Sequence, residues 1–270
     1  KKIIICGYSF SRSLFMNHSF CFSILALGSK YQFLAKNFAE DLEKYSQGTT
    51  VVIGTDNPDV FKDCSNVFAF KLKKRGILHC YHDKRFVIEK ALTKFKVVIQ
   101  MDADTRIIAS LPKSINHSTG LAAVHIENLV DHVQKYNPER LSYLCKLADK
   151  LEIDIDTVSY VGESLFALST DRDKTSEFIE QWNLIARYLQ LHGIHSGEGN
   201  GIGLAAAKAG LEIIKPSWLK SIAKAKHHLN ASQSKPRKTL WDDFSSNLNY
   251  YYRLNKARII ALKDFDFYYK

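Results

Sequence analysis

The residues whose types and spacing most clearly suit chemistry are Asp102 and Asp104, in the stretch Lys96–Thr105, KVVIQMDADT. Val97, Val98, Ile99 and Met101 read as a buried strand that runs straight into the acidic pair. On an extended backbone the side chains at i and i+2 point the same way, so both carboxylates can approach one cation. Hard oxygen ligands with open coordination positions suit Mg²⁺ or Mn²⁺ held against a diphosphate. A plain acidic surface turn is the alternative for so short a spacing. An EF-hand is excluded, because Ile107 stands in place of its turn glycine and Lys113 in place of its bidentate glutamate.

Other side chains could complete such a site. Glu198, in the run His195–Gly203 (HSGEGNGIG), has glycines on both sides that would let the backbone come close to a ligand. It suits a nucleophile or a stabiliser of a cationic centre, and equally a glutamate favoured by a helix N-terminus. Glu163, in Gly162-Glu163-Ser164, is the second such carboxylate, with a strand bulge as its plain reading. In Lys226-His227-His228 an imidazole could join two carboxylates around Mn²⁺, or the histidines could be solvated in a basic segment. Lys84 and Arg85 could pair with phosphate or form an exposed cluster. Thr55-Asp56 closes a strand, and Asp56 also suits a turn. His125, His132 and His192 form no metal spacing and read as structural or surface residues.

The elements that must position these residues read as α/β. Cys21–Leu27, a helix over Lys30–Tyr45 and the strand Thr50–Thr55 make a βαβ opening, hence a parallel sheet with a right-handed crossover. Val67–Phe70 is a strand, and a helix led by His82-Asp83-Lys84-Arg85 runs to Phe95, just before the acidic strand. Arg106–Leu111 and Gly120–Ile126 follow as strands, and Asn137-Pro138-Glu139 opens a helix to Leu151. Thr157–Leu168 is extended and interrupted at Gly162. Ser169–Asp173 caps the helix Lys174–Leu191, whose Phe178, Trp182, Ile185 and Leu189 form a core stripe. His195–Gly203 reads as a loop opening the helix Leu204–Ala209, and Leu211–Ile214 as a last strand. No G-x-G-x-x-G and no P-loop lysine motif occurs.

In order along Phe22–His228, these segments resemble a GT-A glycosyltransferase, and among those families the retaining one that contains the blood-group and α-1,3-galactosyl transferases. Ile53-Gly54-Thr55-Asp56 stands where that family has a Phe-Thr-Asp lining the uridine pocket. Lys84-Arg85 resembles its paired basic residues near the nucleotide, and Asp102-Ala103-Asp104 its DxD motif. Gly197-Glu198-Gly199-Asn200 is similar to a His-Asp-Glu-Ser turn whose glutamate faces the anomeric carbon, although Gly197 replaces the donor-binding Asp. The family's Gly-Gly-Phe-Phe-Gly-Gly is only faintly echoed by Gly162–Phe166.

The resemblance implies an α/β fold with a GT-A-like, Rossmann-type mixed, mainly parallel sheet flanked by helices. It implies a hexosyltransferase acting with retention on a nucleotide diphosphate sugar, UDP-linked. Mn²⁺ or Mg²⁺ would be held by Asp102 and Asp104, with His228 and His227 as further ligands. Thr55, Asp56, Lys84, Arg85, Asp102 and Lys226 would line the nucleotide-sugar site, and Glu198 and Glu163 would be the catalytic carboxylates. Acceptors would be glycans or lipid-linked hydroxyl compounds.

Composition sets the surroundings. With 270 residues, 46% of them hydrophobic, and five prolines, the chain suffices for a large core and is not of disordered type. Five scattered cysteines, odd in number and without a Cys-x-x-Cys pair, point to a reducing compartment and a cytoplasmic protein. The opening apolar run Ile3–Cys6 lacks the pattern of a secretory leader. Of the net charge of +10, Lys215–Lys270 holds +8, from twelve Lys/Arg against four Asp. The expected division is a catalytic domain over 1–231 and a basic aromatic extension over 232–270. That extension suits the anionic inner face of a membrane, an acidic glycan, or packing back on the domain. A nucleotidyltransferase would want a glycine-rich lysine signature, of which Gly7–Arg12 is a poor version. A basic protein binding RNA or another acidic polymer would want its aromatics spread over a sheet face, whereas here they gather in the tail, so no nucleic acid is expected.

Overall fold

The computed structural model describes residues 20–115, 120–169, 172–231 and 240–270. The Ile3–Cys6 and Gly7–Arg12 stretches, part of the Ser169–Asp173 cap and residues 232–239 of the tail lie outside them.

The first half alternates strands and helices: β1 (Phe20–Ala26), α1 (Ser29–Tyr45), β2 (Val51–Thr55), β3 (Val67–Lys71), α2 (Lys84–Leu92), β4 (Val97–Met101) and β5 (Thr105–Ile107). Then come β6 (Gly120–Ala123), β7 (Ile126–Asn128), α3 (Leu129–Tyr136), α4 (Leu141–Lys150), β8 (Ser159–Val161) and β9 (Leu165–Ser169). The chain continues as α5 (Arg172–Leu191), α6 (Glu198–Lys208), β10 (Ile213–Ile214), α7 (Ser217–Lys224), β11 (Lys226–His228), α8 (Leu240–Ala261) and α9 (Phe265–Tyr269).

The protein is α/β, with one seven-stranded mixed sheet in the order β10-β6-β9-β4-β1-β2-β3. All its pairings are parallel except those of β9, which runs antiparallel to both β4 and β6. The arrangement is compatible with a Rossmann-like fold. Helices cover both faces, which is why β4 is buried at every residue and reads as an apolar run. Its period of two still divides it. Val97, Ile99 and Met101 join α1 and α7 on one face, while Val98 joins the larger core of α2, α5 and α6.

Several expectations are revised. The strand expected over Arg106–Leu111 is only β5, which leaves the main sheet to form a ribbon with β11. Gly120–Ile126 divides between β6 and β7, which belong to different sheets. Pro138–Arg140 makes a single 3₁₀ turn ahead of α4, and α3 and α7 were not foreseen. The glycine-rich run is mostly helix, because α6 begins at Glu198 itself. The tail, by contrast, meets one of the settings its composition allowed, packing back on the domain: Ala261 and Tyr268 are buried, the Tyr268 hydroxyl accepts from Arg187 at 2.9 Å, and Arg253 donates to the Ile77 carbonyl at 3.1 Å. The outer side of α8 leaves Trp241, Phe244, Leu248, Tyr251 and Tyr252 exposed. Among the described residues, no helix is long and apolar enough to cross a membrane.

Candidate active site

The strand order reverses at β1, with β2 and β3 on one side and β4 on the other. Open α/β sheets bind ligands in the crevice that such a reversal leaves beyond the carboxyl ends of the strands. Here that crevice is a cleft of about 310 Å³ lined by Leu27 after β1, Asp102 and Asp104 after β4, Lys84, Glu163, Glu198 and His228 among others.

The acidic pair is reached by a residue from far along the chain. β11 pairs antiparallel with β5 so that His228 lies opposite Thr105 and His227 opposite Arg106. Alternation along the strand turns His228 toward the cleft and leaves His227 exposed. The junction is fixed by Asp104 itself, whose backbone carbonyl accepts from Leu229 N–H at 2.8 Å and whose Oδ2 accepts from Ala231 N–H at 2.9 Å. Its Oδ1 remains 3.5 Å from His228 Nδ1, a buried atom with no hydrogen-bond partner. The ligand atoms of Asp102, Asp104 and His228 all lie within 4.8 Å of one another. Two carboxylates and an orphaned imidazole nitrogen fit a divalent cation, so this group could hold a metal ion.

Lys84 is the electrostatic centre of the opposite wall. Its Nζ lies 2.7 Å from Asp102 Oδ1 and 2.8 Å from Glu198 Oε1, and the side chain is almost wholly buried. The turn before it is anchored. Asp83 Oδ2 accepts from the N–H groups of Arg75 and Gly76, and the buried His82 accepts at Nδ1 from Trp182 Nε1 at 3.0 Å. Burial works against the Lys84 ammonium, but Asp102 and Glu198 together outweigh it and hold its pKa well above the usual lysine range. Glu198 lies deeper, and burial raises its carboxyl above the usual range despite the opposing pull of Lys84. Glu163 accepts a 2.6 Å hydrogen bond from the Tyr160 hydroxyl, whose pKa is raised by burial and then by that carboxylate.

The glycines around Glu198 serve packing. A Cβ on Gly199 would come within 2.3 Å of the Val161 carbonyl oxygen, and one on Gly203 within 1.9 Å of that of Ser159. Bare backbone at i and i+4 lets α6 lie directly on β8, which carries Glu198 to the cleft beside Glu163. Gly197 has φ of +78°, the left-handed conformation that favours glycine.

Of the residues singled out in the sequence, Asp102, Asp104, Lys84, Glu163, Glu198 and His228 come together. Lys226 lies at the margin, 3.5 Å from Ser164 Oγ, with its pKa lowered by burial against the attraction of Asp102 and Asp104. Four others serve elsewhere. Thr55 is buried and accepts from Gln32 at 3.3 Å. Asp56 accepts from Gly28 N–H and from Gln32, tying β2 to the start of α1. Arg85 turns to α5, donating twice to Asn183 Oδ1 at 2.9 and 2.7 Å. His227 faces away.

Tyr31, Cys80 and Tyr81 line the cleft without having been foreseen. The one hint for Tyr31 is its place just past the turn that follows the first strand. Burial raises both tyrosine hydroxyls, helped by Asp104 at Tyr31 and by Glu198 at Tyr81. A comparison with protein-family models finds no match for the chain, and a comparison with curated proteins finds none either.

Proposed function

We propose that the chain is a GT-A-like, metal-dependent glycosyltransferase that moves a hexose from a nucleoside diphosphate sugar, UDP-linked, to a hydroxyl acceptor with retention. The observation that carries this reading is the convergence of Asp102, Asp104 and His228 at the end of the central strand, across one cleft from Lys84 and Glu198. Mixed oxygen and imidazole donors favour Mn²⁺, with Mg²⁺ as the alternative. Such an ion, when bound, neutralises charge on the departing diphosphate.

The chain's own residues do the rest. Lys84 is held protonated and can donate a hydrogen bond to a phosphate oxygen in place of its contact with Asp102. Its other contact fixes the Glu198 carboxylate facing the cleft, where negative charge would stabilise an oxocarbenium-like sugar or attack it. Glu163, oriented by Tyr160, is the second carboxylate. Tyr31 and Tyr81 offer aromatic walls for a base or a sugar ring. The apolar outer side of α8, with the basic residues before it, supports an acceptor met at an anionic membrane surface on the cytoplasmic side.

The test is hydrolysis of a panel of nucleotide sugars with Mn²⁺, alongside the melting temperature with UDP and Mn²⁺. One donor is expected to release its nucleotide, and Asp104→Asn to reduce that release at least about 100-fold, since outer-sphere partners alone command roughly 10–100-fold. If no donor is hydrolysed and UDP with Mn²⁺ leaves melting unchanged, the assignment is wrong.

A further inference from the structure

A second cluster of metal-ligating side chains lies outside the lining of the cleft: His125 just before β7, Glu127 on β7 and His132 on α3. Glu127 Oε1 receives His125 Nε2 at 3.0 Å and is also contacted by His132 Nδ1, so two imidazole nitrogens converge on one carboxylate oxygen. The three ligand atoms all lie within 4.8 Å of one another. In a tetrahedral zinc site, bond lengths of about 2.0–2.2 Å put neighbouring donors roughly 3.3 Å apart, so small rotations of the exposed His125 and the partly exposed Glu127 toward the more buried His132 suffice. Two imidazoles with one carboxylate form a donor set that zinc uses when its fourth position is left to water. The half-exposure of His125 and Glu127 leaves such a position open to solvent.

The scaffold beneath the cluster is well tied. Glu127 lies opposite Tyr160 in the β7–β8 ladder, Gly162 N–H donates to the His125 carbonyl at 2.9 Å, and Asn128 caps α3 through Asp131 N–H. His132 stacks on Tyr160 with ring centroids 3.5 Å apart and planes 10° apart, while His125 meets the same ring edge-on. Tyr160 is the residue that orients Glu163 in the cleft.

The geometry points to a second metal site, formed by His125, Glu127 and His132, that takes Zn²⁺ or a cation of similar preference and braces Tyr160. It is separate from the Asp102, Asp104 and His228 group and does not depend on the activity proposed above.

Zn²⁺ titration of the full chain by calorimetry tests it, with the visible absorption of Co²⁺ as a second signal. Wild type is expected to take up one Zn²⁺ equivalent at this group, besides any held by Asp102, Asp104 and His228, and His125→Ala and His132→Ala should each remove or weaken it at least about tenfold. His228→Ala should leave that equivalent in place. Bound Co²⁺ should give tetrahedral bands that His125→Ala abolishes, and because His125 is well exposed this variant does not threaten folding. Equal Zn²⁺ uptake by wild type and both histidine variants would overturn the proposal, as would a wild type that binds none or loses its only equivalent with His228→Ala.

Discussion

Replacing Lys84 by methionine is the sharpest probe of the cleft's electrostatics. Methionine keeps most of the buried stem and removes the ammonium that lies 2.7 Å from Asp102 and 2.8 Å from Glu198. Breaking a buried pair by deleting one partner costs about 3–5 kcal/mol, because the other charge stays out of water. Asp102 is 24% exposed and regains hydration, whereas Glu198 is only 5% exposed, so Glu198 accounts for most of the cost and the low end, about 3 kcal/mol, applies. For a chain of this size that corresponds to a drop of roughly 6–12 °C in melting temperature. The pH dependence has a definite sign. Burial already raises the Glu198 carboxyl, and losing Lys84 raises it further, so the folded state binds this proton more tightly than the unfolded state does. Stability is therefore recovered as pH falls from neutral through the folded pKa toward the unfolded value of about 4.3. Urea denaturation of wild type, Lys84→Met, Glu198→Gln and the double variant, at about pH 7.5 and about pH 5.5, reads both effects. The double variant should be more stable than Lys84→Met alone, and the Lys84→Met deficit should shrink at the lower pH. A deficit below about 0.5 kcal/mol, or a double variant weakened by the sum of the single losses, refutes the reasoning.

Three further outcomes are expected. Burial lowers the His82 pKa to about 3, so this ring stays neutral in the folded state while it charges near pH 6.5 when unfolded. Stability should fall as pH drops from about 6.5 toward 3, by at most about 1.4 kcal/mol per pH unit, and His82→Gln should show a flatter acid limb in the same denaturation series. Gly203→Ala should lose about 1–3 kcal/mol despite the better helix propensity of alanine, because its Cβ would meet the Ser159 carbonyl; a variant that melts at or above wild type would show that α6 can shift away. Replacing Trp241, Phe244 and Tyr251 together by alanine should abolish flotation with anionic vesicles while changing stability by less than about 0.5 kcal/mol per site, since all three are exposed. Flotation unchanged from wild type would remove α8 as a membrane contact.

Asp102 and Asp104 were legible because the strand that carries them to the cleft is contiguous with them, although Leu229, Ala231 and Lys84, which hold them there, come from distant segments. A strand buried on both faces must be written as an apolar run, and the carboxylates follow it directly. The βαβ opening and the core stripe of α5 were legible for the same reason, since each rests on a local period. Glu198 was noticed through its glycines, although Gly199 serves the close approach to β8 and Gly197 a left-handed turn beside Arg140.

What the tertiary structure alone decided were pairings between distant segments. His228 and His227 differ only in parity along β11, and nothing local states which one faces Asp104 until β11 has paired with β5. Lys84 and Arg85 are adjacent cations at one helix start, yet one enters the cleft and the other turns to Asn183 on α5. His125, Glu127 and His132 stand within eight residues, but it takes the turn from β7 into α3, set against the distant Tyr160 ring of β8, to bring both imidazoles onto Glu127. Local sequence determines which residues suit a strand, a turn or an ion. Which of them meet depends on long-range register, whose energy comes from burying whole faces and not from the polar residues that end up together.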